Sequence, residues 1–315
     1  MHCKDTILRT QNNWPYSKLI PNSGKIWSYA LGATMFLSLA SCGNSAKKQA
    51  DEKISADSMS VTSSWTGVQG DSLLATCVLD GVKATWIRDN GPARLMPRTL
   101  FPDASDELIK SLSLENGIPA SISTFLVESD GIRILFDTGM GAPDSRLMDG
   151  LRSLGVSPAD IQYIYLTHFH GDHIGGMMKN DSVVFPNAEV YASKAEYDGW
   201  MKMPADKKEQ VVKTMNAYKD RLHLFAFGDT LPGKVVAREA IGHTPGHTVY
   251  QAGKLLVIGD LMHGAALQAG HPEICATYDM DKENAIKSRK TYLQYARENG
   301  LVMAGMHLPV PAFMK

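Results

Sequence analysis

One segment, Thr167–His173 (THFHGDH), restricts more than any other feature what this chain can fold into. The chain has only 10 histidines, and three of them fall in this segment. The run before it, IQYIYL, has the length and the Ile, Tyr and Leu content of a buried strand. The segment therefore predicts metal-ligand side chains at the end of a strand, which is where α/β proteins build their sites.

The spacing within this segment allows its polar side chains to converge. His168 and His170 are two residues apart in extended chain, so they can face the same side. Gly171 permits a sharp turn that brings Asp172 and His173 back toward them. Imidazoles and a carboxylate suit Zn²⁺ or a similar divalent ion. A solvated, histidine-rich loop is the alternative, but three histidines in one loop favour a metal site.

Three later segments place further ligand-type residues at or just past the ends of predicted strands. Gly242–Thr248 (GHTPGHT) follows a predicted strand at 234–241, KLLVIGD ends at Asp260, and LVMAGMH ends at His307. Strand ends of this kind are typical positions for the side chains of a functional site. We therefore expect these residues to complete the site that begins at Thr167–His173.

Together these segments resemble the metallo-β-lactamase superfamily of hydrolases, and the resemblance runs from about Thr124 to His307. It implies an α/β fold, the αββα four-layer sandwich, and two divalent metal ions. Zn²⁺ is the favoured ion, although nitrogen and oxygen ligands also suit Mn²⁺, Fe²⁺ and Co²⁺. The resemblance implies one metal bound by His168, His170 and His247, another bound by Asp172, His173 and His307, and a bridging carboxylate from Asp260.

The resemblance also implies supporting and catalytic roles. Asp137, in the run ILFDTG, would support a ligand rather than bind metal, and His243 would support the loop that presents His247. A hydroxide bridging the two metals would attack an ester-type bond, so the chain is expected to be a metal-dependent hydrolase. Asp172, Asp260 and His263 are the expected catalytic residues. Trp200 is expected either to line an apolar substrate pocket or simply to pack in the core.

Within the superfamily, the chain is most similar to the branch that holds methyl parathion hydrolase and the acyl-homoserine lactonases. The runs GDLMH, ending at His263, and PNAEVYASKAEYDGW carry this similarity. A lactone or aryl ester is the expected substrate, with phosphotriesterase activity as a side reaction. The alternatives are a glyoxalase II-like thioesterase, a β-lactamase-like amidase and, least favoured, a metal-binding lipoprotein without activity. Asp260 stands where the commonest zinc β-lactamases have Cys, which disfavours the amidase.

The N-terminal region predicts export. An apolar run at 28–39 follows Lys25 and is shorter than the roughly 20 residues that a membrane span needs. It leads into LASC, which ends at Cys42 and resembles a bacterial lipobox; an ordinary signal peptide is the alternative. We expect a leader and lipoprotein signal peptide at 1–42, a flexible linker at 43–64 and a hydrolase domain at 65–315. Acylated Cys42 would anchor an exported lipoprotein at the outer membrane or periplasmic face.

Composition and net charge limit the classes of partner that the chain is expected to bind. The chain has 32 Lys and Arg against 33 Asp and Glu, a formal net charge of −1, which argues against nucleic acid. The expected partner is a small-molecule ester or lactone, and the choice between a monomer and a homodimer stays open. Cys77 and Cys275 are expected to be buried free thiols rather than a disulfide.

Turn signals and periodicity predict the main elements. Asp80-Gly81, Asp130-Gly131 and Ala252-Gly253 are predicted two-residue hairpin loops. Further strands are predicted at 161–167, 189–192, 221–226, 234–241 and 301–305, and helices at 144–154, 205–219 and 281–298.

Overall fold

The structure, a computed structural model, describes residues 72–91 and 94–315. Its strands are β1 (Leu74–Leu79), β2 (Val82–Arg88), β3 (Arg94–Met96), β4 (Ile118–Ala120), β5 (Ser123–Ser129), β6 (Ile132–Phe136), β7 (Tyr163–Tyr165), β8 (Met178–Lys179), β9 (Ser182–Val183), β10 (Glu189–Ser193), β11 (Leu222–Phe225), β12 (Thr230–Leu231), β13 (Val235–Glu239), β14 (Thr248–Ala252), β15 (Leu255–Gly259), β16 (Val302–Gly305) and β17 (Phe313–Met314). Its α-helices are α1 (Asp106–Ser111), α2 (Leu147–Ser153), α3 (Gly171–Ile174), α4 (Lys194–Met201), α5 (Ala205–Ala217), α6 (Ala265–Gln268) and α7 (Lys282–Asn299).

The first large sheet has the strand order β1-β2-β5-β6-β7-β10-β11. Two of its hairpins turn at Asp80-Gly81 and Asp130-Gly131, as the sequence predicts. All four of these residues have positive φ, which matches the right-handed twist of the paired strands. The strands β6, β7, β10 and β11 run parallel to one another, so the chain crosses over between them and its loops collect at their carboxyl ends.

The second large sheet has the order β12-β13-β14-β15-β16-β17. The hairpin between β14 and β15 turns at Gly253-Lys254 rather than at Ala252-Gly253, because Ala252 is still paired with Leu255. The prediction was therefore wrong by one residue. The strand β17, which pairs antiparallel with β16, was not predicted.

Two apolar cores separate the layers. Alternate residues of β5 and β6, such as Phe125 and Phe136, face the second sheet, whereas Leu126 and Leu135 face α2 and α5. On the outer side of the second sheet, the guanidinium of Arg238 on β13 donates to the hydroxyl of Tyr295 on α7 at 2.9 Å. This arrangement confirms the expected αββα sandwich. Each fully buried large apolar side chain contributes about 1.5–3 kcal/mol to folding.

Capping residues set the ends of α7. The side chain of Asp281 accepts from the backbone N–H of Asn284, and Gly300 follows the helix in the left-handed conformation with φ 61°. Both features agree with the predicted helix at 281–298. The predicted helix at 205–219 ends two residues earlier, at Ala217, and the one at 144–154 is shortened to α2.

Several predictions concern residues that the structure leaves out. The leader, the linker and acylated Cys42 lie outside the described residues, as do the first residues of the predicted hydrolase domain. None of the helices within 72–91 and 94–315 combines the length and the apolar character that a membrane span requires. Cys77 and Cys275 are buried and free, which confirms the prediction for both thiols.

Candidate metal centre

Two pairs of parallel strands, one in each large sheet, place the functional residues close together. Phe136 on β6 is paired with Tyr165 on β7, so Asp137 and Thr167 leave the first sheet side by side. Asp137 accepts from the backbone N–H of Thr167 at 2.8 Å. In the second sheet Gly259 on β15 is paired with Gly305 on β16, so the residues that follow these two strands are also neighbours. The centre therefore lies at the ends of strands from both sheets.

The segment after β7 reaches the site by a different route from the predicted one. Gly171 begins the short helix α3, and it has ordinary φ rather than the left-handed conformation of a sharp glycine turn. Asp172 and His173 lie in the single turn of this helix. The predicted convergence of these side chains is therefore right, but its cause is a helical turn after His170 and not a sharp turn at Gly171.

Three imidazoles meet in what we call the first group: His168, His170 and His243. The Nδ1 atom of His170 lies 3.0 Å from Nε2 of His168 and 3.0 Å from Nε2 of His243. The Nε2 atoms of His168 and His243 are 3.2 Å apart. With the carboxylate of Asp260, these side chains form a set whose ligand atoms could surround one ion.

The second group consists of Asp172, His173 and His307, whose ligand atoms also lie close enough to hold one ion. The Nε2 atom of His307 is 3.2 Å from Oδ2 of Asp172, and Nε2 of His173 is 3.7 Å from Oδ1 of Asp172. Asp172 and His173 lie in α3, which follows β7, and His307 follows the end of β16. The two sheets therefore set the distances among these three side chains.

Asp260 touches both groups. Its Oδ2 atom lies 3.3 Å from Nε2 of His243 and 3.1 Å from Nε2 of His307, and its Oδ1 atom lies 3.1 Å from Nε2 of His173. The carboxylate is 2% exposed, so these nitrogens rather than water surround it. This is the position that a carboxylate shared between two cations would occupy.

His243 and His247 occupy the reverse of their predicted positions. His247, predicted to be a ligand, donates from Nδ1 to the backbone carbonyl of Ala240 at 3.0 Å. Its Nε2 atom accepts from the backbone N–H of Asp260 at 3.0 Å. Both ring nitrogens are therefore engaged by the main chain, and no lone pair is left for a metal. His243, predicted to support the loop, presents Nε2 to the first group instead.

In each of three ligand-type histidines, a carboxylate or a backbone carbonyl contacts the Nδ1 atom. Asp137 lies 2.7 Å from Nδ1 of His173, the backbone carbonyl of Ser121 lies 2.9 Å from Nδ1 of His307, and Asp279 lies 3.0 Å from Nδ1 of His243. Such contacts orient a metal-binding imidazole and fix which nitrogen carries the proton. Asp279 was not identified from the sequence, where it is one of two aspartates in the run YDMD before α7 and nothing marks it.

His263 extends the cluster on the side of Asp260. Its Nε2 atom is 3.1 Å from Oδ2 of Asp260, and its ring stacks on His307 at 5.1 Å between centroids. Within the described residues, its Nδ1 atom is buried without a hydrogen-bond partner. Tyr278, which is 45% exposed, lies beside it with the ring centroids 5.4 Å apart.

Trp200 lies next to the site but is enclosed by protein. Its ring is 5.7 Å from that of His170, and its indole N–H donates to the buried carboxylate of Glu196 at 2.6 Å. The side chain is part of the core between the first sheet and its helices. Trp200 is 6% exposed, so its described contacts are those of a packing residue.

The cluster has the chemistry of a cation site. In the part of the chain that the structure describes, Nε2 of His173 and Oδ1 of Asp260 are buried and lie 3.1 Å apart, yet neither makes a hydrogen bond, to the other or to any further atom. Leaving a buried polar group unpaired costs about 1–3 kcal/mol, a cost that a cation between these atoms would remove. Imidazole nitrogens and carboxylate oxygens are the donors that Zn²⁺ accepts. The residues present therefore fit a divalent metal.

The pKa values of the ligand-type groups shift in both directions. Burial, together with the neighbouring imidazoles, lowers the pKa of His170 to about 3 and holds that of His168 well below its usual value. Burial alone would raise the pKa of Asp260, but His173 and His307 hold it well below its usual range. Burial alone would lower the pKa of His173, His243 and His307, but Asp260 and the other carboxylates that face these rings raise the pKa of all three, that of His307 to about 10. Neutral imidazoles and an ionised carboxylate are the ligating forms, so a bound metal would displace the protons of these three rings.

Sequence comparison finds a profile of the Metallo-beta-lactamase superfamily at residues 117–307. The lactamase-like protein nscB of Aspergillus fumigatus is 39% identical over 84 residues, which are 24% of each chain. The N-acyl homoserine lactonase AttM of Agrobacterium fabrum is 28% identical over 115 residues, 33% of this chain and 40% of AttM. The matched segments thus span less than half the length of these relatives.

Solved structures align over more of the chain. A hydrolase of the beta lactamase superfamily, AbOPH, superposes with a TM-score of 0.69 and 29% identity, covering 79% of this chain and 93% of AbOPH. AidC, a dizinc quorum-quenching lactonase in complex with a product, superposes with a TM-score of 0.69 and 27% identity, covering 78% of this chain and 94% of AidC.

Proposed function

The chain belongs to the metallo-β-lactamase superfamily, and on that premise we propose that it is a dinuclear metal-dependent hydrolase of lactones or related esters. The observation that carries the proposal is the position of Asp260. Its two carboxylate oxygens lie within 3.3 Å of imidazole nitrogens from both groups, so one side chain can serve two cations at once.

In this proposal the first group holds one metal through His168, His170 and His243. The second group holds the other through Asp172, His173 and His307, and Asp260 is shared. Two divalent cations, when bound, would lower the pKa of water toward neutrality and polarise a substrate carbonyl. Zn²⁺ is the favoured ion, since the ligands are imidazoles and carboxylates and AidC is a dizinc enzyme.

The chain's own residues would prepare the site for this chemistry. Asp137 and the Ser121 carbonyl fix the rings of His173 and His307, so the ligand atoms need little rearrangement. Burial of the cluster excludes bulk water and strengthens each charge interaction. His263 lies against Asp260 at the edge of the cluster, where its imidazole could contact the substrate.

The surroundings of the centre favour a substrate with an apolar group. Tyr278 and Met280 are 45% and 46% exposed on the loop before α7, and Tyr278 stands beside His263. An acyl chain or an aryl ring could lie against them while a lactone or ester carbonyl reaches the centre. The lactonases among the relatives and solved structures support the same substrate class.

Export is a separate part of the proposal. The apolar run before Cys42 and its lipobox-like ending support a lipoprotein with its hydrolase domain at the outer membrane or periplasmic face. A lipid on Cys42 would anchor the chain, and the linker at 43–64 would let the domain reach small soluble substrates.

A substrate panel tests the proposed activity. Purified protein is assayed on lactones, aryl esters, phosphotriesters, thioesters and a β-lactam, together with Asp260→Asn and the control Asp198→Asn, which changes an exposed carboxylate on α4. We expect turnover of lactones or aryl esters by the protein and the control but not by Asp260→Asn. A preference for thioesters or β-lactams would show that the proposed substrate class is wrong. Lactone turnover that survives Asp260→Asn would overturn the mechanism.

A further inference from the structure

Behind His243 lies a line of buried charged side chains that the proposed reaction does not itself use. Oδ1 of Asp279 is 3.0 Å from Nδ1 of His243, and Oδ2 of Asp279 accepts from the guanidinium of Arg289 at 2.9 Å. Asp279 and Arg289 are 7% and 1% exposed, so water contributes little to either charge. His243 lies on the loop after β13, Asp279 on the loop before α7 and Arg289 in the second turn of α7.

Arg289 is held on its remaining sides by main-chain carbonyls. Its Nε donates to the carbonyl of Leu261 at 2.7 Å, and its Nη1 donates to the carbonyls of Pro272 at 2.8 Å and Ile274 at 3.1 Å. A buried guanidinium with satisfied donors is a fixed positive charge, which keeps Asp279 ionised and stationary. Because Leu261 directly follows Asp260, the same guanidinium also anchors the backbone beside the shared carboxylate.

The backbone of His243 is docked against the same loop. Met280 donates its N–H to the carbonyl of His243 at 3.2 Å, and Asp281 donates to the carbonyl of Gly242 at 2.8 Å. Gly242 has φ +128°, and a Cβ there would lie 2.0 Å from the backbone nitrogen of Ala285 on α7. Only glycine permits this approach, so the loop and α7 fix the main chain of His243 as well as its ring.

We propose that Asp279, held by Arg289, is a positioning residue that sets the orientation of His243 and thereby how tightly the first group retains its metal. The inference rests on the proposed function, because it assigns a role to residues behind one of the proposed ligands. By accepting the proton of Nδ1, Asp279 directs the lone pair of Nε2 to the first group and makes it a stronger donor. Removing the carboxylate should weaken one metal site and leave the other nearly unchanged.

Zinc affinity is the direct test. The full chain, Asp279→Asn and the control Asp281→Asn are stripped of metal and titrated with Zn²⁺ in competition with a chromophoric chelator. Asparagine caps α7 as well as aspartate does, so the control should bind both ions as the parent chain does. Asp279→Asn should lose about 10–100-fold in affinity for one ion, with the other within about threefold. Unchanged affinity for both ions would overturn the inference.

A double-mutant cycle separates positioning from general support of the fold. If Asp279 acts through His243, adding Asp279→Asn to His243→Asn should change zinc affinity no further. Equal losses in both backgrounds would show a structural role and overturn the inference. Should Asp279→Asn not fold, Arg289→Lys, which retains the charge but not the forked contacts, should weaken the same ion about tenfold, and parent-like affinity there would overturn it. A parent chain that binds no zinc would instead refute the proposed function.

Discussion

The opposite positions of His243 and His247 give a prediction that a matched pair of variants can test. An asparagine amide nitrogen lies close to the place of imidazole Nδ1, so His→Asn keeps that donor and removes Nε2. In His243→Asn the lost atom faces the first group, whereas in His247→Asn it accepts from the backbone N–H of Asp260. The first variant should therefore lose metal, and the second should lose stability.

The magnitudes follow from these contacts. Removing a group that merely orients a ligand costs 10–100-fold in metal affinity, so loss of the ligand atom in His243→Asn should cost about 100-fold or more, about 2.8 kcal/mol. His247→Asn leaves one buried N–H unpaired, which costs about 1–3 kcal/mol. For a domain of this size that lowers Tm by about 2–12 °C, with metal affinity changed less than about tenfold.

Zinc titration and thermal unfolding of the metal-free proteins measure the two effects independently. Metal-free His243→Asn should unfold within a few degrees of the parent chain, because its contact with Asp279 can be kept. If His247→Asn lost one equivalent of zinc while His243→Asn bound both, the assignment of the first group would be wrong.

Three further predictions concern other parts of the molecule. Asp137→Asn should weaken zinc binding about 10–100-fold in a chelator competition, because the carboxylate orients His173, and parent-like affinity would contradict that role. Tyr278→Ala should raise KM for lactones with long acyl chains more than KM for lactones with short acyl chains, with little change in kcat. An equal rise in KM for both kinds of lactone would show that Tyr278 does not contact the acyl chain. Cys42→Ala should abolish metabolic labelling of the protein with a radioactive fatty acid, and label that persists would refute lipidation of that residue.

The parts of the fold that the sequence predicts are those set by local chemistry. Asp-Gly pairs mark two hairpins because both residues of such turns need positive φ, and Asp281 and Gly300 mark the ends of α7 because capping depends on neighbouring residues. The hairpin at Gly253-Lys254 was misplaced by one residue, since its register is decided by pairing along β14 and β15.

In the candidate site, too, the sequence predicts what local spacing sets and misses what contacts between distant residues set. The spacing of His168, His170 and Asp172 within one segment was sufficient to indicate a metal centre. The spacing within GHTPGHT could not say which histidine faces inward, because that is decided by hydrogen bonds from Met280 and Asp281, far along the chain. Asp279 escaped notice for the same reason, since its role exists only once α7 has packed against the loop that carries His243.

Metal content measured alongside activity tests the central claim most directly. Elemental analysis of the purified protein should find two equivalents of zinc per chain, with lactone hydrolysis lost after treatment with a strong chelator and restored by added Zn²⁺. A protein without bound metal, or one equally active before and after chelation, would contradict the account.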